Sequence, residues 1–375
     1  MMVMELKDYR LVFVGPRLGQ TAVGDYSEAF IEAVRPYFRD LVAVRTGGPG
    51  VDGVREIRSY RKAVADAVAH APGGKVLVHA ESAAGGVGPF WAVAGIRDVP
   101  VTLTVHDPPQ GVWMPARTRF MAENKLLNHG LHYPLRPVSR WLEGRINHGR
   151  TLFALTDTGR RSMAETYPGI NCARAPYLVS ERPVIPPAQD RPRAIGFFGL
   201  VYRGKGFEQI ARIRELLPPE IGIRVAGRGT ETLPRTPGID IVGGVDGPDE
   251  DAFFASVRAI VVPYGKRHFY AETFPASAVV AHALSYRTPV ISTNYGSLAE
   301  LTVDDGVRLV ATADAPPESV PIELARAAVE VVDDINLLTR LGSSADRARA
   351  AGAGPAVAAV FAAEWAKMLG RTTDR

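Results

Sequence analysis

The chain has 375 residues and 46% hydrophobic content, enough for two domains of ordinary size with sizeable cores. A single cysteine, Cys172, excludes a disulfide framework and a cysteine-built zinc site. The net charge of +4 is carried mostly by arginine, with only seven lysines; it fits an anionic partner or simply an arginine-rich composition, and no nucleic-acid-binding motif accompanies it.

The opening residues run into a strand without a basic start, a long apolar region or a cleavage site, and no apolar run approaches the roughly 18 residues of a membrane span. A cytoplasmic location is the expectation. Short β-rich apolar runs then alternate with helical patterns. Leu11–Val14, Leu41–Val44, Val76–His79, Val101–Val105 and Leu152–Leu155 read as strands, with helices at Tyr26–Tyr37, Tyr60–His70 and near Arg160–Tyr167. Near-continuous apolar strands between helices predict parallel sheets covered on both faces.

The first strand-to-helix turn runs from Val14 to Tyr26. It is too long and wrongly spaced for the dinucleotide fingerprint, which removes the best support for a nicotinamide enzyme. Its Gly24-Asp25-Tyr26-Ser27 stretch offers N-cap chemistry and close backbone approach to a ligand; an ordinary turn is the other reading. His106 follows strand Val101–Val105 directly. Ligands of parallel sheets bind beyond the carboxyl ends of strands, and a histidine there can donate to a phosphate or a sugar hydroxyl. His79 and Glu81, at the end of Val76–His79, are candidates by the same argument.

Residues 113–150 form a basic, aromatic-bearing segment. Arg117, Arg119, Lys125, Arg136, Arg140, Arg145 and Arg150 stand against only Glu123 and Glu143, with Trp113, Met114, Phe120, Met121, Leu126 and Leu127 between them. Such a segment suits a peripheral contact with the inner face of an anionic membrane, a helical face packed on its own domain, or an anionic acceptor.

The proline-rich stretch Arg182–Pro192 reads as a linker. Beyond it a second alternation begins, with strands Ala194–Phe198, Gly222–Ala226, Ile239–Val242, Ala259–Val262 and Pro289–Ser292. Its helices are Phe207–Leu217, Glu250–Ser256, Pro275–Leu284, Ile322–Asp333 and Asp346–Leu369. The loop Gly199–Gly206 brings Arg203 and Lys205 to a helix start, where unsatisfied N–H groups and partial positive charge suit a diphosphate. Gly227 and Gly229 form a small turn after the next strand. Lys266, Arg267 and His268 place further donors after Pro263-Tyr264. The run Glu272-Thr273-Phe274-Pro275 puts a carboxylate before an apolar helix, able to accept hydrogen bonds from sugar hydroxyls. Thr288-Pro289-Val290-Ile291-Ser292 leads to Gly296 and a second acid, Glu300.

In motif order, the stretch 194–305 resembles the nucleotide-sugar domain of the GT-B glycosyltransferases, in particular the retaining family-4 group, and the first half resembles its partner domain more loosely. The resemblance implies an α/β chain of two Rossmann-like domains facing a cleft. It implies an acceptor domain over residues 1–185, a nucleotide-sugar domain over 186–355, and a C-terminal helix in 356–375 returning to the first domain. It implies transfer of a sugar from a nucleotide diphosphate sugar to a hydroxyl acceptor, retaining, with no cofactor. No metal is expected.

Catalytic roles fall on His106 and Glu272. Donor binding falls on Gly24, Arg203, Lys205, Gly206, Gly227, Gly229, Thr273, Phe274, Pro275, His282 and Glu300, and the acceptor side on Asp25, Tyr26, His79 and Glu81. Two positions depart from the family pattern. Leu200 stands where an arginine is usual, with Arg203 three residues on as its replacement. Eight residues beyond Glu272, where a ribose-binding acid is usual, stands Val280; counting back from Thr288-Pro289-Val290 places His282 there instead, either as a ribose partner or lining the helix. A nucleotide-sugar epimerase of the same fold and a non-catalytic sugar-nucleotide-binding subunit are the alternatives.

Overall fold

The computed structural model describes residues 6–110, 117–132, 134–266, 272–312 and 315–373. The expectations placed on Trp113, Met114, Arg267 and His268 lie outside the described residues. The chain forms two compact units. One comprises Met1–Leu178, Thr273–Ala276 and Gly354–Arg375, the other Val179–Glu272 and Ser277–Ala353.

The first unit is built on six parallel strands: β1 (Arg10–Pro16), β2 (Asp40–Thr46), β3 (Val76–Ser82), β4 (Val101–Val105), β5 (Thr151–Ala154) and β6 (Asn171–Arg174). Their order is β2-β1-β3-β4-β5-β6, so the chain changes direction across the sheet between β1 and β3. β1 shows why the apolar runs are continuous. Alternate side chains face opposite layers, and both layers are covered. Leu11 and Phe13 join a cluster with Phe30 of α1 (Ala22–Val34) and with Phe361 and Trp365 of the last helix, whereas Val12 and Val14 join a second cluster with Val64 of α2 (Val54–Ala69). Trp365 and Phe361 are fully buried, and truncating either to alanine would cost about 3–5 kcal/mol. The remaining helices of this unit are α3 (Gly88–Val93), α4 (Arg119–Glu123), α5 (Lys125–His132), α6 (Arg136–Asn147) and α7 (Asp157–Thr166).

The second unit repeats the scheme with β7 (Ala194–Phe198), β8 (Gly222–Ala226), β9 (Ile239–Gly243), β10 (Ala259–Val262), β11 (Val290–Thr293) and β12 (Val307–Val310). The order β12-β11-β10-β7-β8-β9 places the switch between β7 and β10. Helices α8 (Ile210–Leu216), α9 (Pro248–Ala255), α10 (Ala278–Ser285), α11 (Val320–Asp333) and α12 (Ile335–Ala351) belong to this unit, and α13 (Gly354–Thr373) belongs to the first.

Several boundaries differ from the sequence reading, each for a local reason. The helix expected over Asp346–Leu369 is two helices, because Gly352 ends α12 and α13 starts afresh at Gly354. α10 starts at Ala278 rather than Pro275, since the Ser277 side chain caps it by accepting from Val280 N. α1 is capped by Thr21 and not within Gly24–Ser27. The stretch Arg182–Pro192 is no free tether. Buried Arg191 clamps it, donating to Pro186 O at 2.7 Å, Thr288 Oγ1 at 2.8 Å and Tyr286 O at 3.1 Å, and the units divide at Leu178/Val179.

Candidate functional site

The carboxyl edge of the second sheet is shaped by glycines at the switch point. The loop after β7 approaches the end of β10 so closely that a Cβ on Gly206 would lie 2.1 Å from Pro263 O, and Gly206 has φ 77. A Cβ on Gly227, at φ 126, would lie 2.2 Å from Gly199 O. Both sites combine left-handed backbone with no room for a side chain. Gly227 N donates to Gly243 O, and Gly229 N to the Glu231 carboxylate. Arg203 lies exposed on the loop.

Lys205 is half-buried among aromatic rings. Its Nζ donates to Tyr264 Oη and stands 3.7 Å from the centroid of that ring and 5.2 Å from that of Tyr202. Ring faces attract an ammonium electrostatically, so the tyrosines hold the cation at the switch point. Ser277, the cap of α10, donates to the same Tyr264 Oη at 3.3 Å, and Thr293 Oγ1 donates to Tyr264 O at 2.7 Å. An ammonium, a helix start and glycine turns therefore meet where α/β sheets bind ligands. Neither tyrosine was assigned a role from the sequence.

Glu272 is exposed in this unit; burial, and then the Glu272 carboxylate, push the Tyr295 phenol up. Glu300 ends the short turn Gly296–Glu300 after β11. Val280 is buried in the apolar side of α10. His282 is engaged: its Nδ1 lies 3.0 Å from Glu250 Oε1, and its ring packs on Phe198 at 5.1 Å. Arg182 reaches the same carboxylate at 3.3 Å. Burial raises the Glu250 carboxyl, but the His282 bond and the His282 and Arg182 charges outweigh it and leave it lowered. A buried acid thus does accompany His282, yet it comes from α9, where the sequence reading saw only a helix.

Thr273, Phe274 and Pro275, expected with the donor, count with the first unit. Phe274 N donates to Pro108 O at 2.8 Å, and Phe274 O accepts from Thr156 Oγ1 at 3.3 Å. The segment is pinned beside the loop that carries His106.

In the first unit the carboxyl edge holds His106 after β4. Its Nε2 lies 2.6 Å from Glu81 Oε2, and His79 Nε2 lies 3.3 Å from Glu81 Oε1. His79 and Glu81 are 0% exposed and His106 only 9%. Burial opposes ionisation of Glu81, but the bonds from His106 and His79 outweigh it, and the carboxyl is held down at about 2. His79 and Glu81 have no surface to offer an acceptor; they stand behind His106. Tyr26 meets His106 edge-on at 5.1 Å and is buried, and its Oη makes no hydrogen bond among the described residues. Asp25 accepts from Gly19 N at 2.9 Å and closes the loop after β1. Gly24 is packed so tightly that a Cβ would lie 2.2 Å from Arg17 O, and its N–H is taken by Thr21. Its glycine character is a packing requirement of the loop.

The basic segment divides in two. Arg150 is buried and donates to Val93 O at 2.8 Å and Ile96 O at 3.0 Å, and Glu143 is buried against Tyr167 Oη at 2.8 Å. These two are core groups, as the reading of a segment packed on its own domain has it, and so is Met121. Phe120, Leu126 and Trp141 are 62%, 90% and 63% exposed, with Arg145 over the Trp141 ring. Among the described residues no helix is long and apolar enough to cross a membrane, and no group of three His, Cys, Asp or Glu is placed to hold a metal ion.

Residues 192–334 match the family model described as Glycosyl transferases group 1. No curated protein matches the chain. Among solved structures, HepE of Anabaena in complex with UDP is 11% identical with a TM-score of 0.62, over 96% of this chain and 100% of that one. The same protein in complex with UDP-glucose gives 12% and 0.62, over 96% and 99%. WaaG, a glycosyltransferase involved in lipopolysaccharide biosynthesis, is 12% identical with a TM-score of 0.59, over 94% and 98%. At such identities the likeness is one of fold. The chain therefore has the GT-B fold, two six-stranded parallel sheets in an α/β architecture, and residues 192–334 are similar to the group 1 glycosyltransferase family.

Proposed function

We propose that this protein is a retaining glycosyltransferase that moves a hexose from a nucleotide diphosphate sugar to a hydroxyl acceptor, without a metal ion or other cofactor. The observation that carries the reading is the Lys205 ammonium, held against Tyr264 and Tyr202 beside left-handed glycines at the switch point of the second sheet. That arrangement offers fixed positive charge and close backbone approach to a diphosphate. The UDP and UDP-glucose complexes of HepE support a nucleotide-sugar donor.

In this reading Arg203 and Lys205 stabilise the negative charge that grows on the departing diphosphate, the kind of electrostatic stabilisation that dominates such transfers. Gly206, Gly227 and Gly229 let the backbone approach the nucleotide. Glu272 orients hexose hydroxyls, Glu300 supports the donor, and His282 with Glu250 lies on the ribose side. His106, braced by Glu81, donates to the reacting sugar or phosphate, with Asp25 and Tyr26 on the acceptor side. The protein works in the cytoplasm, and the exposed Phe120, Leu126 and Trp141 among arginines give it a peripheral hold on an anionic membrane face.

The test is a panel of UDP-, ADP- and GDP-sugars with hydroxyl acceptors. The expected result is release of free nucleoside diphosphate together with a glycosylated acceptor. Interconversion of donors would mark an epimerase. A shifted melting temperature without turnover of any donor would mark a binding subunit and end the transferase reading.

A further inference from the structure

The first unit buries a line of polar groups that a sheet core does not require. His79 and Glu81 lie two residues apart on β3 and so share a face; Thr102 and Thr104 on β4 stand opposite them in parallel register. All four are fully buried, and aromatic rings surround His79, with Phe30 at 5.3 Å and Trp365 at 5.4 Å. In such surroundings an unmatched donor or acceptor is costly. The direction of each hydrogen bond can therefore be assigned by elimination.

The Trp365 indole N–H can only donate, and its partner is Thr102 Oγ1 at 3.2 Å. The Thr102 hydroxyl then has its own hydrogen to place. His79 Nδ1 lies at 2.8 Å and Val78 O at 3.5 Å, so the hydrogen goes to His79. With Nδ1 accepting, the His79 proton sits on Nε2, aimed at Thr104 Oγ1 at 3.0 Å and Glu81 Oε1 at 3.3 Å. The second Glu81 oxygen takes the proton on His106 Nε2 at 2.6 Å. The indole N–H, the Thr102 hydroxyl and the two imidazole N–H groups each then face an acceptor, and the direction is set by the one group that cannot accept.

We propose that Trp365, Thr102, His79 and Glu81 form a directional hydrogen-bond chain that fixes the proton of His106 on Nε2, leaving Nδ1 as the atom for a reacting group. All four are positioning residues. A core that needed only stability would replace a buried carboxylate and imidazole with apolar side chains at little cost or with gain. Here the carboxylate orients the one histidine of the line with any exposed surface. The terminal helix α13 starts the chain, which ties the orientation of His106 to the docking of that helix on its own unit. The proton assignment rests on geometry alone; its consequence for turnover rests on the role proposed above for His106.

The test uses the full chain with 15N-labelled histidine and long-range proton–nitrogen correlation near neutral pH, with His106→Gln to assign its signal among the eight histidines. His79 is expected to show a pyrrole-type Nε2 and a pyridine-type Nδ1, and His106 a pyrrole-type Nε2. Thr102→Val removes the hydrogen given to His79 and should shift the His79 Nδ1 and His106 Nε2 signals together. It should also lower kcat on the order of 3- to 10-fold with donor KM unchanged, and Thr102→Ser should restore both. A pyrrole-type Nδ1 on His79 in the unsubstituted protein overturns the proposal, and that spectrum needs no variant to fold. A folded Thr102→Val protein whose His106 signal does not move overturns it too. Signals that move as expected with kcat unchanged uphold the chain and refute the role of His106 in transfer instead.

Discussion

At the edge of the first sheet the polar groups are buried and already paired, His79 and Glu81 with no exposed surface and His106 with 9%. At the edge of the second, Arg203 and Glu272 stand exposed, and the shape comes from backbone turns at Gly199, Gly204, Gly206, Gly227 and Gly229, all with positive φ. The two edges occupy equivalent places in related sheets, so topology alone does not explain the difference. A buried, paired histidine has its orientation fixed before any ligand arrives, which suits a group needed in the transition state. Exposed charges with close-approach glycines suit a polyanion that brings its own counter-charge and displaces water. One edge is specified by side-chain bonds, the other by backbone conformation, and substitutions should separate them.

The largest effect should come from the backbone edge. Gly227→Ala forces a Cβ to 2.2 Å from Gly199 O at φ 126, and strain plus overpacking should cost about 3–5 kcal/mol. Gly229→Ala shares the positive φ of 90 but finds no atom nearer than 3.6 Å, so about 1 kcal/mol is expected. Thermal and denaturant unfolding of the pair checks this. Equal losses would mean that φ alone, and not close approach, sets the edge.

The next effect separates binding from turnover. Lys205→Ala removes a charged donor worth roughly 1.5–3 kcal/mol, so UDP affinity by calorimetry should fall on the order of 10- to 150-fold with the fold intact. His106→Ala should leave UDP affinity alone and lower kcat and kcat/KM together, on the order of 10²-fold. If His106→Ala instead weakens UDP binding as much as Lys205→Ala does, the division of labour between the two edges is wrong.

The legibility of the two edges differs in the same way. Glycines and Lys205 lie close together in the chain, so the loop after β7 could be read from sequence. The buried line could not, because Thr102 lies 23 residues from His79 along the chain and Trp365 lies 263 residues from Thr102. A signal was present: His-x-Glu on one strand and Thr-x-Thr on the next, polar residues at alternate positions of otherwise apolar runs. The strands with long apolar runs, such as β1 and β3, were visible. β6 and β12 escaped, since both are four-residue edge strands and the first reads Asn-Cys-Ala-Arg with no residue fully buried. The pairing of His282 with Glu250 was invisible for the same reason as the buried line: the acid lies 32 residues upstream on another helix.

A smaller effect tests the buried edge by pH. The Glu81 carboxyl is held at about 2 against an ordinary 4.5. Since the folded value is the lower one, its contribution to stability is complete above about pH 4.5 and is lost as pH falls toward about 2. The gap in melting temperature between the unsubstituted protein and Glu81→Gln should be widest at neutral pH and close across that acid window. A gap constant with pH would show that Glu81 matters for shape and not for charge.

The smallest effect is expected at Ser277, where the two ways of building an edge meet in one side chain. Its Oγ accepts from Val280 N at 3.3 Å as the cap of α10, and donates to Tyr264 Oη, also at 3.3 Å. Both bonds are long, so each is weak. Ser277→Ala loses the cap and should cost about 0.5–1 kcal/mol. It also leaves Tyr264 Oη with one donor fewer beside Lys205, which should lower UDP affinity by roughly 2- to 3-fold, the lower end for a neutral bond. Ser277→Asn separates the two roles, because an amide oxygen caps as well as a hydroxyl does but the longer side chain cannot reproduce the short reach to Tyr264. Stability should return with Asn while UDP affinity stays down, and Ser277→Thr should restore both. If Asn restores affinity as well, the hydroxyl contact to Tyr264 contributes nothing, and Lys205 is held at the switch point by the two tyrosine rings alone.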